Sequence, residues 1–225
     1  SFDRVPFHMI ANDGNILEHA INFDGTNGTW RGELPTQGIG ERYDIVVDFS
    51  QFQPGDKLYF VNLHEHDNGR KPNGPIALRD ILSGAYKAVE VDIDGDGRSD
   101  RYEGGDPCVE AFLQLVVKEM RPGAVDLSMD LTPFEPGGQK LVEHNRPTAQ
   151  ELAGAHRREF KFGRSGGTDK APWTVKTEAG AFTADTRRVT SAPAMGDVEI
   201  WTIVGKNGWS HPVHIHFEEG FILSK

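Results

Sequence analysis

Along much of the chain, apolar and polar residues alternate with a period of two. In residues 198–204, Val198, Ile200, Thr202 and Val204 fall on one face of an extended segment, and Glu199, Trp201 and Ile203 fall on the other. Strand-like runs recur at 42–49, 57–63, 86–93, 111–120, 158–163, 197–205 and 211–217. Turn signals such as NDG, FDGTNG, QPGD, NGRKPNGP, DIDGDG and EPGG separate them, and the chain holds 26 Gly and 13 Pro. This punctuation predicts an all-β protein, a sandwich or barrel of short antiparallel strands. One helix stands out, in RPTAQELAGAHRRE (146–159). Thr148 sits at the N-cap position with Glu151 three residues on, the spacing of a capping box.

The stretch LTPFEPGGQK, rich in Pro and Gly, looks like the end of a unit. A boundary is expected near residue 145, giving domains 1–145 and 146–225. The second unit has about 80 residues, fewer than a closed sandwich needs, and its last strand would leave an open edge. The expectation is a chain that starts at Ser1 as a processed, trimmed or partial product and whose missing strands are supplied elsewhere.

Composition narrows the partners. The 225 residues include 34 acidic and 24 basic side chains, a net charge of -10, so nucleic acid phosphates would be repelled. No apolar run approaches the roughly 18–20 residues of a membrane span, so neither nucleic acid nor membrane is expected as a partner. A single cysteine, Cys108, excludes a disulfide within the chain and a Cys-rich metal knuckle, and is expected to be a small half-buried residue.

The segment HPVHIHF (211–217) carries three imidazoles in six residues. On a strand, His214 and His216 point to one face, with Cβ atoms about 6–7 Å apart at a rise of about 3.3 Å per residue. His211, three positions earlier, points to the other face. Pro212 removes a backbone donor and makes His211 the strand entry. Imidazole suits copper, zinc, iron and nickel.

His211-Pro212-Val213-His214-Ile215-His216 resembles the ligand strand of the third cupredoxin domain of the multicopper oxidases, in their spore-coat laccase and bilirubin oxidase branch. The preceding MGDVEIWTIVGKNGWS is similar to the approach to that strand. LPTQGIGERYDIVVDFSQFQPGDKLYFVNL (34–63) resembles a segment of the family's second domain, and FHMIANDGNIL resembles that domain's opening strand. The resemblance implies cupredoxin-like Greek-key β-sandwich domains, a second domain followed by an incomplete third. It implies copper, with His211 binding the type 1 ion, His214 the type 2 ion and His216 a type 3 ion. It also implies one-electron oxidation of a phenolic, pigment or metal-ion substrate, entering near His211, coupled to four-electron reduction of dioxygen to water. The family's His-Cys-His segment is not in this sequence: Cys108 has Pro107 and Val109 as neighbours. The first domain, with its His-x-His pairs, is also missing. The chain alone is therefore expected to be inactive, with the remaining segments or chains of the same oxidase as its partners. Copper and a redox role imply a secreted or periplasmic setting.

A second motif, DIDGDGRSDRYE (92–103), fits a calcium-loop pattern. Asp92, Asp94, Asp96, Asp100 and Glu103 would supply carboxylate oxygens and Arg98 a carbonyl, with Gly97 at the sharp turn. The strand-like YKAVEV before it and the GGDPC after it speak against flanking helices. The alternative function is thus a non-catalytic, calcium-stabilised β-sandwich metal-binding module. A further His-x-His, His64 and His66, is expected in a solvated loop, since the family's second domain normally lacks copper. His8, His19, His144 and His156 are expected to be structural. GRSGGTDK (163–170) lacks the Gly-Lys-Ser/Thr ending of a phosphate-binding loop. Glu218 and Glu219 beside the histidine strand are expected to be solvated.

Overall fold

The structure, a computed structural model, describes residues 3–67, 71–163, 170, 173–185, 187–205, 213, 215 and 220–224. It is all-β with few helical residues, its strands arranged in small sheets, consistent with the cupredoxin-like class. The chain divides into two compact units, Ser1–Glu143 and His144–Lys225.

The first unit opens with β1 (His8–Asn12), β2 (Asn15–Asn22) and β3 (Tyr43–Val46), which form an antiparallel sheet in the order β2-β1-β3. The β1–β2 hairpin turns through Asp13 (φ 53°) and Gly14 (φ 89°), the Asp-Gly pair that supplies two left-handed residues for a tight primed turn. Phe7 and Phe23 stack with ring centroids 4.9 Å apart and are buried with Ala11 and Ala20. Such an aromatic pair adds about 0.5–1.5 kcal/mol beyond its area. Gly32 lies against this end of the sheet: its N–H donates to the Phe23 carbonyl, and a Cβ there would stand 2.7 Å from the Val5 oxygen.

Further along, β4 (Lys57–Val61) pairs antiparallel with a later strand, and β5 (His64–Asp67) pairs with β6 (Lys71–Pro75). Helix α1 (Leu78–Ser83) follows, then β7 (Val89–Val91), β8 (Arg101–Glu103) and β9 (Ala111–Val116), the partner of β4. The unit closes with a 3-10 turn, Thr132–Phe134, and a return across β1 and β2. His8 Nε2 meets Glu135 Oε1 at 2.8 Å, Asn22 donates to the same oxygen at 2.9 Å, and the Leu141 N–H donates to the Glu18 carbonyl. His19 Nδ1 lies 3.1 Å from the Gln139 carbonyl.

The second unit begins with α2 (Ala149–Gly154). Its capping box is complete, with Thr148 accepting from the Glu151 N–H and Glu151 accepting from the Thr148 N–H; a Thr N-cap of this kind contributes about 1 kcal/mol. The helix ends sooner than the sequence pattern suggests, because His156 already belongs to β10 (His156–Gly163). With β11 (Thr174–Thr177), β12 (Gly180–Thr183) and β13 (Glu199–Val204), it forms a sheet in the order β12-β11-β10-β13. β10 and β13 run parallel, against the expectation of antiparallel strands throughout. The β11–β12 hairpin lies between them in the chain, and a parallel pair requires such an intervening crossover. The predicted face of Glu199, Trp201 and Ile203 meets the same face of β10: Arg158 pairs with Trp201 and Phe160 with Ile203. Phe160 is buried and its ring lies 4.8 Å from that of Trp201.

Candidate metal centres

The aspartate loop is the tip of the β7–β8 hairpin, in which Val89 pairs with Glu103, Glu90 with Tyr102 and Val91 with Arg101. No helix flanks it, as its surroundings in the sequence suggest. Its folding is local. Asp92 accepts from the Gly95 and Gly97 N–H groups at 2.6 and 2.9 Å, Asp94 accepts from Asp96 N, and Asp96 accepts from Arg98 N. Asp100 closes the loop, accepting from Ile93 N at 2.8 Å and donating its own N–H to the Val91 carbonyl. Gly95 and Gly97 take φ values of 79° and 82°, which side-chain-bearing residues rarely adopt.

These bonds draw carboxylate oxygens of Asp92, Asp94 and Asp100 within 4.8 Å of one another, all exposed. Like charges at that distance repel, and a divalent cation among them would reverse the sign of the interaction. Asp96 and Glu103 are not in this group; Glu103 accepts from Arg101 Nη2. The twelve-residue motif therefore supplies three grouped carboxylates.

His211, His214 and His216 lie outside the described residues, as do Glu218, Glu219 and residues 164–169 of the glycine-rich loop. Upstream of them, the described chain runs to Gly205. On β13, Glu199 is held by Arg158 through Nε (2.8 Å) and Nη2 (2.9 Å) and by Trp201 Nε1 (2.7 Å), while Arg158 also pairs with Glu178. The Arg158 guanidinium, and then the indole N–H, hold the Glu199 carboxyl below its usual range against the opposing effect of burial. His144 meets the Phe221 ring edge-on at 6.2 Å.

The remaining candidates lie in the first unit. His64 and His66 sit on β5, so they belong to a paired strand and not to a loop. Beside them is a network that sequence reasoning did not find. The Tyr86 hydroxyl donates to Glu65 at 2.7 Å and accepts from the Asp106 N–H at 2.6 Å. Asp106 in turn accepts from the N–H groups of His66 and Cys108, both at 2.8 Å. Nothing local in AYKAV or GGDPC signals this, because residues 65, 86 and 106 meet only through tertiary folding. Cys108 is exposed, not half-buried as expected. Partial desolvation, then the Asp106 carboxylate, push its thiol above the ordinary value.

Among the described residues, no helix is long and apolar enough to cross a membrane. No protein-family profile matches the chain, and no solved structure matches it. Among curated proteins, the chain is similar to the bilirubin oxidase of Albifimbria verrucaria, with 26% identity over 223 residues. That alignment covers 99% of this chain and 29% of the relative, so the chain spans less than a third of the relative's length. The similarity is distant and partial, and it runs in the same direction as the motif resemblance: toward an oxidase.

Proposed function

We propose that this chain is part of a multicopper oxidase that couples four one-electron oxidations of a phenolic, pigment or metal-ion substrate to reduction of dioxygen, with four protons, to two waters. The observation that carries the reading is the sequence motif His211-Pro212-Val213-His214-Ile215-His216, in a chain similar along nearly its whole length to a bilirubin oxidase. Its donor set suits the metal, since neutral imidazole is a good copper ligand. In this reading His211 holds the type 1 ion, His214 the type 2 ion and His216 a type 3 ion, and the remaining ligands come from polypeptide beyond this chain. Copper supplies the one-electron redox chemistry when bound. The setting is secreted or periplasmic, and the domains are 1–145 and 146–225.

A second reading is favoured by the grouping of Asp92, Asp94 and Asp100: a non-catalytic β-sandwich module stabilised by calcium, with histidines that bind metal structurally. Copper content separates the two. The complete natural protein, purified and loaded with copper, is expected to hold about four ions per unit and to consume dioxygen with a phenol or Mn(II). This chain alone is expected to do neither and to lack the band near about 600 nm of a copper–thiolate centre. One copper or none in the complete protein, without dioxygen consumption, overturns the oxidase reading.

A further inference from the structure

We propose that His64 and His66 form a two-imidazole binding site for a borderline divalent transition ion, in addition to the histidines of residues 211–216. Strand register places the two rings together. β5 pairs with β6 as His64 to Pro75, Glu65 to Gly74, and then His66 to Pro72. The extra residue of this bulge is Asn73, on β6. The alternation of β5 is therefore unbroken, and its two imidazoles stay on one face. Glu65 serves the other side, accepting from Tyr86 and from Asn73 Nδ2.

The rings have centroids 6.5 Å apart and planes tilted by 51°. An ion bound at about 2.0–2.1 Å to one nitrogen of each ring lies about 3 Å from each centroid, so rings that share it stand about 5–6 Å apart. A small side-chain rotation of the exposed His66 covers the difference. His64 Nδ1 lies 3.4 Å from the Thr36 hydroxyl. With Thr36 oxygen accepting, Nδ1 carries the proton and Nε2 presents its lone pair, the arrangement by which an outer partner fixes a metal-binding imidazole.

The setting favours a cation. The residues directly opposite both histidines are prolines, which offer no polar side chain to compete for the rings. The strand is anchored on both sides of the pair, by Leu63 O to Ile76 N (2.7 Å), Asn62 Oδ1 to His64 N (3.1 Å) and Asp106 Oδ2 to His66 N (2.8 Å). The ligands are thus held by a paired strand, and the Asp106 carboxylate adds negative charge beside them. Solvent completes the coordination, since the group of three or more donors found among the described residues is the aspartate loop.

Ni(II) is the probe, because it selects imidazole over scattered carboxylates. Calorimetric titration uses the full chain carrying H211Q, H214Q and H216Q, which removes the other imidazole cluster. One equivalent is expected to bind, and it is expected to disappear when H64Q or H66Q is added. Thr36→Val is expected to weaken binding about tenfold, as loss of an outer-shell partner does. Imidazole NMR resonances of His64 and His66 in the unaltered chain provide a reading independent of any variant; both are expected to broaden on adding Ni(II). The proposal is overturned if the triple variant binds none, if the same stoichiometry survives in H64Q and H66Q, or if neither resonance responds. None of these outcomes bears on copper content in the complete protein, so the oxidase reading stands or falls separately.

Discussion

Arg158 shows how much one side chain can organise. Its guanidinium forms two bonds to Glu199 and a contact to Glu178, and thereby ties β10 to β13 and to the turn between β11 and β12. Bidentate pairing of this kind is stronger and more directional than a single lysine contact. The Glu199 side chain is only 8% exposed, so the pair is shielded from the screening that weakens surface bridges. Because the folded-state pKa of Glu199 is depressed, the pair stabilises the fold above the unfolded carboxylate value of about 4.3 and loses that contribution as pH falls through the folded value. Arg158→Met is therefore expected to lower the melting temperature by several degrees near neutral pH. The gap from the parent should shrink steadily below about pH 4. Thermal melts followed by circular dichroism across that range check it; a gap independent of pH would mean that lost packing, and not the ion pair, sets the effect.

At the scale of elements, what was legible in the sequence was local. Alternation in 198–204 gives the faces of β13, the Thr148–Glu151 spacing gives the cap of α2, and NDG gives the first hairpin. Helix α1 was not legible: it has six residues, and its N-cap, Ala77, has no capping side chain. Its one strong signal is Gly84, left-handed at the C-cap. The parallel pairing of β10 with β13 was hidden as well, because partner choice depends on residues some forty positions apart. The aspartate loop lies between these cases. Its carboxylates and glycines are readable by spacing, yet which of them converge is decided by the hairpin that closes it. If calcium occupies the loop, the three grouped carboxylates carry the site. Asp94→Ala is then expected to abolish a calorimetric calcium signal, while Glu103→Gln, which alters a residue engaged by Arg101, should weaken it by less. Absence of calcium heat in the parent chain would end the reading.

At the scale of the whole molecule, the histidine motif of residues 211–216 takes its meaning from the oxidase reading. Its legibility comes from parity, a property of any extended segment: spacing alone would send His211 one way and His214 and His216 the other. Within the oxidase reading the substrate is chosen by surface loops, whose shape no ligand motif encodes. Parity yields a prediction for the complete, copper-loaded protein, within the oxidase reading. If the two directions serve two centres, substitutions on them should fail differently. His211→Gln is expected to erase the absorption near about 600 nm, while His216→Gln should leave that band in place and abolish dioxygen consumption. Absorbance and oxygen-electrode measurements on the two variants suffice. Persistence of the blue band in His211→Gln would mean that His211 is no ligand of that centre, and joint loss of the band in both variants with copper content unchanged would mean that the imidazoles serve a single centre; either outcome overturns the assignment of opposed faces to two centres.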